Sequence, residues 1–202
     1  SAGGTSLSTP QWAGLMSIAN AVRALAGKAA LAGASNLVYR NIGAVAASYG
    51  STLPSDLDGP APAAGTPNFV VARATNSINL WRFAVDWATP ANSKLTGPVN
   101  VPVASFSAAC SGGTCITQPG TNNKLDSLAD RLNYRAAYRT LNGGTLVVNH
   151  AVSTGTRKAA LSAVRWYELR NVAATGTPTV AQQGTFGGGD GIWAHIGDLQ
   201  QA

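Results

Sequence analysis

Charge is scarce in this sequence. Of 202 residues only 11% are Asp, Glu, Lys or Arg, less than half the usual share of about 25%. A single glutamate, Glu168, occurs in the whole chain, so carboxylate-rich catalysis has little to draw on. Gly, Ser, Thr and Asn take the place of charge, a surface that suits a secreted protein. The net charge of +6 permits attraction to anionic polymers. The basic residues are scattered, however, without a Lys/Arg run or a recognisable binding module, which argues against nucleic-acid binding. No apolar run reaches the roughly 20 residues of a membrane-spanning helix. There is no signal-peptide pattern and the chain opens on Ser rather than Met, so it reads as a mature or excised part of a longer precursor. Only two cysteines are present, Cys110 and Cys115, in the loop Cys-Ser-Gly-Gly-Thr-Cys. A zinc site needs four ligands and none stands nearby. The simpler reading is a local disulfide, contributing about 2 kcal/mol through loop entropy and implying an oxidising compartment.

The most informative stretch that is present runs Gly3-Gly4-Thr5-Ser6-Leu7-Ser8-Thr9-Pro10-Gln11-Trp12-Ala13-Gly14. A serine after Gly-Gly-Thr, followed by Pro and an apolar run, places a hydroxyl on a glycine-permitted turn at the mouth of a helix. Unpaired N–H groups and the helix dipole at such a place would stabilise an oxyanion, which favours acyl transfer. The same letters also describe an ordinary helix start, since Thr5, Ser6, Ser8 and Thr9 are good N-caps and Pro10 suits a first turn.

The Gly-Thr-Ser-x-x-x-Pro run, the following Trp-Ala-Gly-Leu, and Asn36-Leu37-Val38-Tyr39 beyond the first helix together resemble the end of the catalytic domain of the sedolisins, serine-carboxyl peptidases with a subtilisin-like fold. The resemblance covers roughly residues 3 to 50. It implies that Ser6 is the nucleophile, that the substrate is a protein or peptide, and that calcium accompanies the fold. In that family a glutamate base, its supporting aspartate and an oxyanion-hole aspartate all precede the serine. Here only five residues precede Ser6 and none is acidic; a serine without a base is a weak nucleophile. The family's calcium loop is not recognisable either. Asp56 and Asp58 are potential calcium ligands, but two carboxylates before Gly59 read better as turn formers. No cofactor is assigned. The missing remainder of the domain, or a second copy of this chain, is an expected partner.

Organisation along the chain divides in three. Residues 1–50 hold two helices by apolar spacing, Trp12, Leu15, Met16, Ala19, Val22 and Leu25 in the first and Leu37, Val38, Ile42, Val45 and Ala46 in the second. Residues 51–67, with Pro54, Pro60, Pro62, Pro67, Gly59 and Gly65, read as a linker. Residues 68–202 read as a β-rich module. Its strands fall near residues 69–72, 78–87, 99–106, 146–152, 164–170 and 179–186, with Trp81, Phe83, Val85 and Trp87 as the buried face of the second. Leu125, Leu128 and Leu132 suggest a short helix or loop to about Arg131; Tyr134, Ala136 and Tyr138 then alternate with Arg135, Ala137 and Arg139 like a strand, and Asn142-Gly143-Gly144 supplies a hairpin turn into the next. Four meandering strands make one propeller blade. The order Leu-Trp-Arg-Phe, Cys-x4-Cys, Lys-Leu-Asp-Ser-Leu, Val-Val-Asn-His, Arg-Trp-Tyr-Glu-Leu-Arg resembles large secreted bacterial proteins with β-propeller-like domains, over roughly residues 55 to 195. That resemblance implies no reaction. The expected fold class is therefore α+β: an N-terminal helical pair, a subtilisin-like fragment, followed by an antiparallel, propeller-blade-like region.

Other constellations carry weaker signals. His150 is the alternative base for Ser6, as is His195, with Asp190 or Asp198 to orient the ring; a structural hydrogen bond is the commoner role for a mid-strand histidine. Asp190 among glycines reads as a turn residue. Arg131, Arg135 and Arg139 suit either an anionic ligand or a solvated face paired with Asp126 and Asp130. Trp81, Trp87 and Trp166 suit either a sugar-stacking platform or the core. The resulting expectation is a secreted, sedolisin-like serine peptidase derivative that is incomplete as this chain. The alternative is a non-catalytic secreted binding or structural module whose serine motif is residual.

Overall fold

Apolar residues at every second position carry most of the described chain into strands. The computed structural model describes residues 51–154 and 161–187, all within one compact unit, Ile42–Ala202. Its strands are β1 (Leu53–Leu57), β2 (Asn68–Ala74), β3 (Ser77–Ala84), β4 (Lys94–Pro102), β5 (Thr114–Gln118), β6 (Thr121–Asp126), β7 (Asn133–Arg139), β8 (Thr145–Thr154), β9 (Leu161–Arg170) and β10 (Thr179–Phe186). Helical structure among the described residues is confined to 3₁₀ turns at Pro90–Asn92 and Ala109–Gly112.

These proportions correct the α+β expectation. Strands take 58% of the described residues and helical turns 5%, with no helix of seven residues or more. The N-terminal helical pair lies outside the described residues. The segment expected as a short helix or loop is β6 followed by a tight turn. Asp126 accepts a hydrogen bond from the Leu128 N–H at 3.0 Å, and Leu128 adopts φ 48°, a left-handed conformation that no helix continues through.

Eight strands form one curled sheet in the order β10-β9-β8-β7-β1-β2-β3-β4; β5 and β6 form a separate hairpin. This corrects the blade-like picture as well. The meander β7 to β10 is present, but it continues through β1 into a second meander, β2 to β4. The join falls in the segment expected to be linker. Leu53 and Pro54 pair antiparallel with Val71 and Val70 of β2, and Ser55, Asp56 and Leu57 pair parallel with Ala136, Ala137 and Tyr138 of β7. Five residues thus unite two meanders, while the stretch from Gly59 to Gly65 remains a largely exposed connection.

The curl encloses one core, built from Phe69, Val71, Ile78, Leu80, Val101, Ala136, Tyr138, Leu146, Val148, Tyr167 and Leu169. On β3 the core face is Ile78 and Leu80. Of the expected aromatic face only Trp81 is buried; Phe83 is partly exposed, Val85 and Trp87 lie beyond the strand, and Trp87 is 85% exposed. The disulfide Cys110–Cys115 is formed, with Cα atoms 5.4 Å apart. Ala109 of its loop packs with Ala129 and with Ala151 of β8 in a small satellite cluster.

Two connections close the ends of the curl. At one end Arg82 of β3 donates from Nε to Val172 O and from Nη2 to Gly176 O, both at 2.9 Å, tying β3 to the β9–β10 turn. At the other end residues 103–108 form a strap. Val103 N bonds Asn76 O at 2.9 Å and Ser153 N bonds Ser107 O at 2.8 Å. Between them Ala104 N bonds the Gln183 side chain of β10 at 3.0 Å, and Phe106 N bonds the Asn76 side chain at 3.1 Å. Ala108 then bridges to Val152.

Candidate functional site

Alternation along the strands sets what reaches the strap end. Phe69 and Val71 face the core on β2, so Arg73 continues that face. Leu146 and Val148 do so on β8, and His150 follows. On β9 Leu169 and Tyr167 face inward, and so does Arg165, which lies opposite His150 in the register. Polar and charged side chains therefore gather at the strap end of an otherwise apolar interior.

His150 is the centre of this group and is fully buried. Its Nδ1–H donates to Ala151 O at 3.2 Å. Its Nε2 then accepts from the Tyr167 hydroxyl at 3.0 Å. Burial pushes the imidazole down to about 4, against the upward effect of the Ala151 carbonyl and with smaller downward help from the charges of Arg73 and Arg165. The ring is neutral at physiological pH. Burial likewise raises the Tyr167 phenol to about 12, so it stays a donor. The Phe106 ring stands edge-on to His150, with centroids 4.4 Å apart. Beyond it the Arg73 guanidinium lies 5.6 Å from the Phe106 ring centroid, and the Arg165 guanidinium lies 5.7 Å from that of Tyr167.

Arg165 is anchored at its tip by Thr185 Oγ1 at 2.8 Å and Gln183 Oε1 at 3.2 Å. The Nε atoms of both Arg73 and Arg165 are buried without a hydrogen-bond partner. Asp130 is the carboxylate near Arg73, but it is engaged bidentately by Arg131 at 2.8 and 2.7 Å. That engagement holds its pKa below the usual aspartate value, chiefly through the Arg131 hydrogen bond.

The expected site residues are distributed otherwise. Ser6, His195, Asp190 and Asp198 lie outside the described residues. His150 has both ring nitrogens occupied within the sheet, in the structural role weighed for a mid-strand histidine. Asp56 and Asp58 clamp Arg135, one through Nη1 at 2.9 Å and the other through Nη2, so neither faces an open cation position. Among the described residues no group of three or more His, Cys, Asp or Glu is placed to hold a metal ion. Arg131 takes Asp130 as expected, whereas Arg135 takes Asp56 and Asp58 rather than Asp126. The tryptophans make no common platform. Trp81 is buried and Trp87 exposed, while Trp166 lies so close over Gly184 that a Cβ there would fall 2.9 Å from its indole nitrogen.

Sequence reasoning missed Arg73, Phe106, Arg165 and Tyr167. The signal for two of them was the parity of their strands: an arginine two residues beyond Phe69-x-Val71, and another two residues before Tyr167-x-Leu169, occupy inward positions. Phe106 lies past its strand and has no such marker. No protein-family model matches the chain, nor does any curated protein or solved structure.

Proposed function

We propose that the β-rich region is a non-catalytic binding module of a secreted bacterial protein, and that the serine motif around Ser6 is residual. The observation that carries this reading is the commitment of every candidate base among the described residues. Asp56 and Asp58 hold Arg135, and Asp130 holds Arg131. Glu168 binds Arg170 at 2.6 Å and Gln182 at 2.8 Å. Asp86 orders the β3–β4 loop by accepting from Ala88 N at 3.0 Å and Thr89 N at 2.8 Å. Asp126 shapes the turn before Leu128, and His150 is sealed in the core. A serine nucleophile needs a proton acceptor within reach, and none of these groups is free to serve. Secretion is supported by the disulfide, and no helix among the described residues is long and apolar enough to cross a membrane.

The test is a fluorophosphonate label on the chain at acid and neutral pH, with peptide hydrolysis measured alongside and Ser6→Ala as control. The expected result is no labelling and no hydrolysis that depends on Ser6. Labelling abolished in S6A would overturn the reading and restore the peptidase one.

A further inference from the structure

The strap end of the curled sheet brings together two inward-facing arginines in a chain that is poor in charge, and among the described residues the carboxylate near Arg73, Asp130, is already engaged by Arg131. We infer that this end is an oxyanion site, in which the guanidinium groups of Arg73 and Arg165 receive a carboxylate or phosphate group of the module's ligand. The inference rests on the binding-module reading above and names the chemistry of what is bound.

Three observations carry it. The first is unmet donors. Arg73 Nε and Arg165 Nε are buried and have no acceptor, and buried donors are costly to leave unpaired. Arginine offers five N–H donors in a fixed fork that matches planar oxyanions in bidentate fashion. Arg165 spends its Nη atoms on Thr185 and Gln183. Among the described residues Arg73 lies against the face of Phe106 and within electrostatic range of Asp130, with its Nε unpaired.

The second is charge balance. The nearby acid, Asp130, already forms a bidentate pair with Arg131. The buried imidazole of His150 is neutral. Among the described residues Asp130 thus faces two arginines, Arg131 by hydrogen bond and Arg73 at longer range, and no carboxylate forms an ion pair with Arg165, in a setting where low dielectric strengthens any anion contact.

The third is preorganisation. Phe106, held by the strap through its backbone N–H on Asn76, lies under one guanidinium, and Tyr167, fixed by His150, lies under the other. Cation–π contact of this kind holds the planar group by its face and leaves its edge to a ligand. Both arginines are half-buried rather than sealed. The mouth of a barrel-like sheet is a usual place for such a site.

The test follows the thermal midpoint of the chain in inorganic phosphate and in acetate, each against sodium chloride at equal ionic strength, together with the arginine Hε NMR resonances of the unsubstituted protein. We expect a saturable rise in midpoint with at least one of the two oxyanions and none with chloride, accompanied by movement of the Arg73 and Arg165 Hε signals. A response to phosphate alone would identify a phosphate-bearing ligand, and a response to acetate alone a carboxylate. Arg73→Gln and Arg165→Gln should each weaken the apparent affinity by at least about tenfold. The exposed Arg139→Gln, which removes the same charge elsewhere, should leave it unchanged. No saturable response, stationary Hε signals, or an equal loss in R139Q would each overturn the site. Should R73Q or R165Q fail to fold, the Hε signals decide the matter without them. None of these readouts involves Ser6, so failure here is distinct from failure of the non-catalytic reading.

Discussion

Both ends of the curled sheet carry arginines, yet they use them in opposite ways. Arg82 points its donors at two backbone carbonyls of the β9–β10 turn and functions as a strut between strands that are not sheet neighbours. Around it the packing is tight: the rings of Phe69 and Tyr138 lie 4.8 Å apart, and the β7–β8 turn docks on Val172 and Ala173 through Gly143 and Gly144. At the strap end Arg73 and Arg165 keep donors without protein acceptors beside a buried imidazole and phenol. One end is complete as a structure. The other leaves two buried donors unpaired, which is what the proposed oxyanion would satisfy.

The largest expected effect that separates the ends is pH. His150 titrates near 6.5 when unfolded but is held at about 4 in the fold. As pH falls below 6.5 the unfolded chain takes up a proton that the native state refuses, so stability drops continuously down to about pH 4 and is unaffected above about pH 7.5. Two and a half pKa units correspond to about 3 kcal/mol. Urea unfolding at a series of pH values should show this slope, and His150→Phe should flatten it. An unchanged slope in H150F would mean that the strap end is not the acid-sensitive one.

Next in size is the strut. Arg82→Met keeps the aliphatic stem but leaves Val172 O and Gly176 O without their charged donor, at a cost of about 2 kcal/mol, read as a lower denaturant midpoint. Smaller again is Gly144→Ala. Gly144 sits at φ 89°, and a Cβ there would come within 3.1 Å of Ala173 and Val172. A cost of about 1–2 kcal/mol is expected from strain and crowding together; no loss would show that the turn yields without disturbing the Arg82 end.

The sheet was legible where a strand announces itself twice, by alternation and by flanking turn residues. The strands from β7 to β10 met both conditions, and Asn142-Gly143-Gly144 marked their first hairpin. β1 met neither. Leu-Pro-Ser-Asp-Leu is five residues long, carries a proline and stands among Pro and Gly, so its composition says linker; its pairing with β7 is set by a partner some 80 residues away. β5 and β6 were hidden for another reason. Their hairpin is wholly exposed along β6, and Ile116 alone is buried on β5, so no alternation advertises it. The disulfide could be read because six residues of a glycine-rich loop leave few other uses for two cysteines. The strap-end cluster could not, because its members come from β2, β8, β9 and a loop, and only the curl brings them to one place.

The smallest expected effect is the most discriminating, since it sets Arg73 directly against Arg82. Arg73→Met removes a cation–π contact with Phe106, worth about 0.5–1 kcal/mol, but it also removes a buried Nε donor that has no acceptor, a burden of about 1–3 kcal/mol. In the absence of an oxyanion R73M should therefore be at least as stable as the unsubstituted protein, where the same substitution at Arg82 destabilises. The variant should also narrow the acid-sensitive window, because the charge of Arg73 contributes to depressing the His150 pKa, and removing it brings the folded value closer to the unfolded one. Denaturant midpoints of R73M and R82M at neutral pH, followed by R73M at acid pH, make the comparison. A loss in R73M matching that in R82M would make Arg73 a second strut and remove the physical distinction between the two ends.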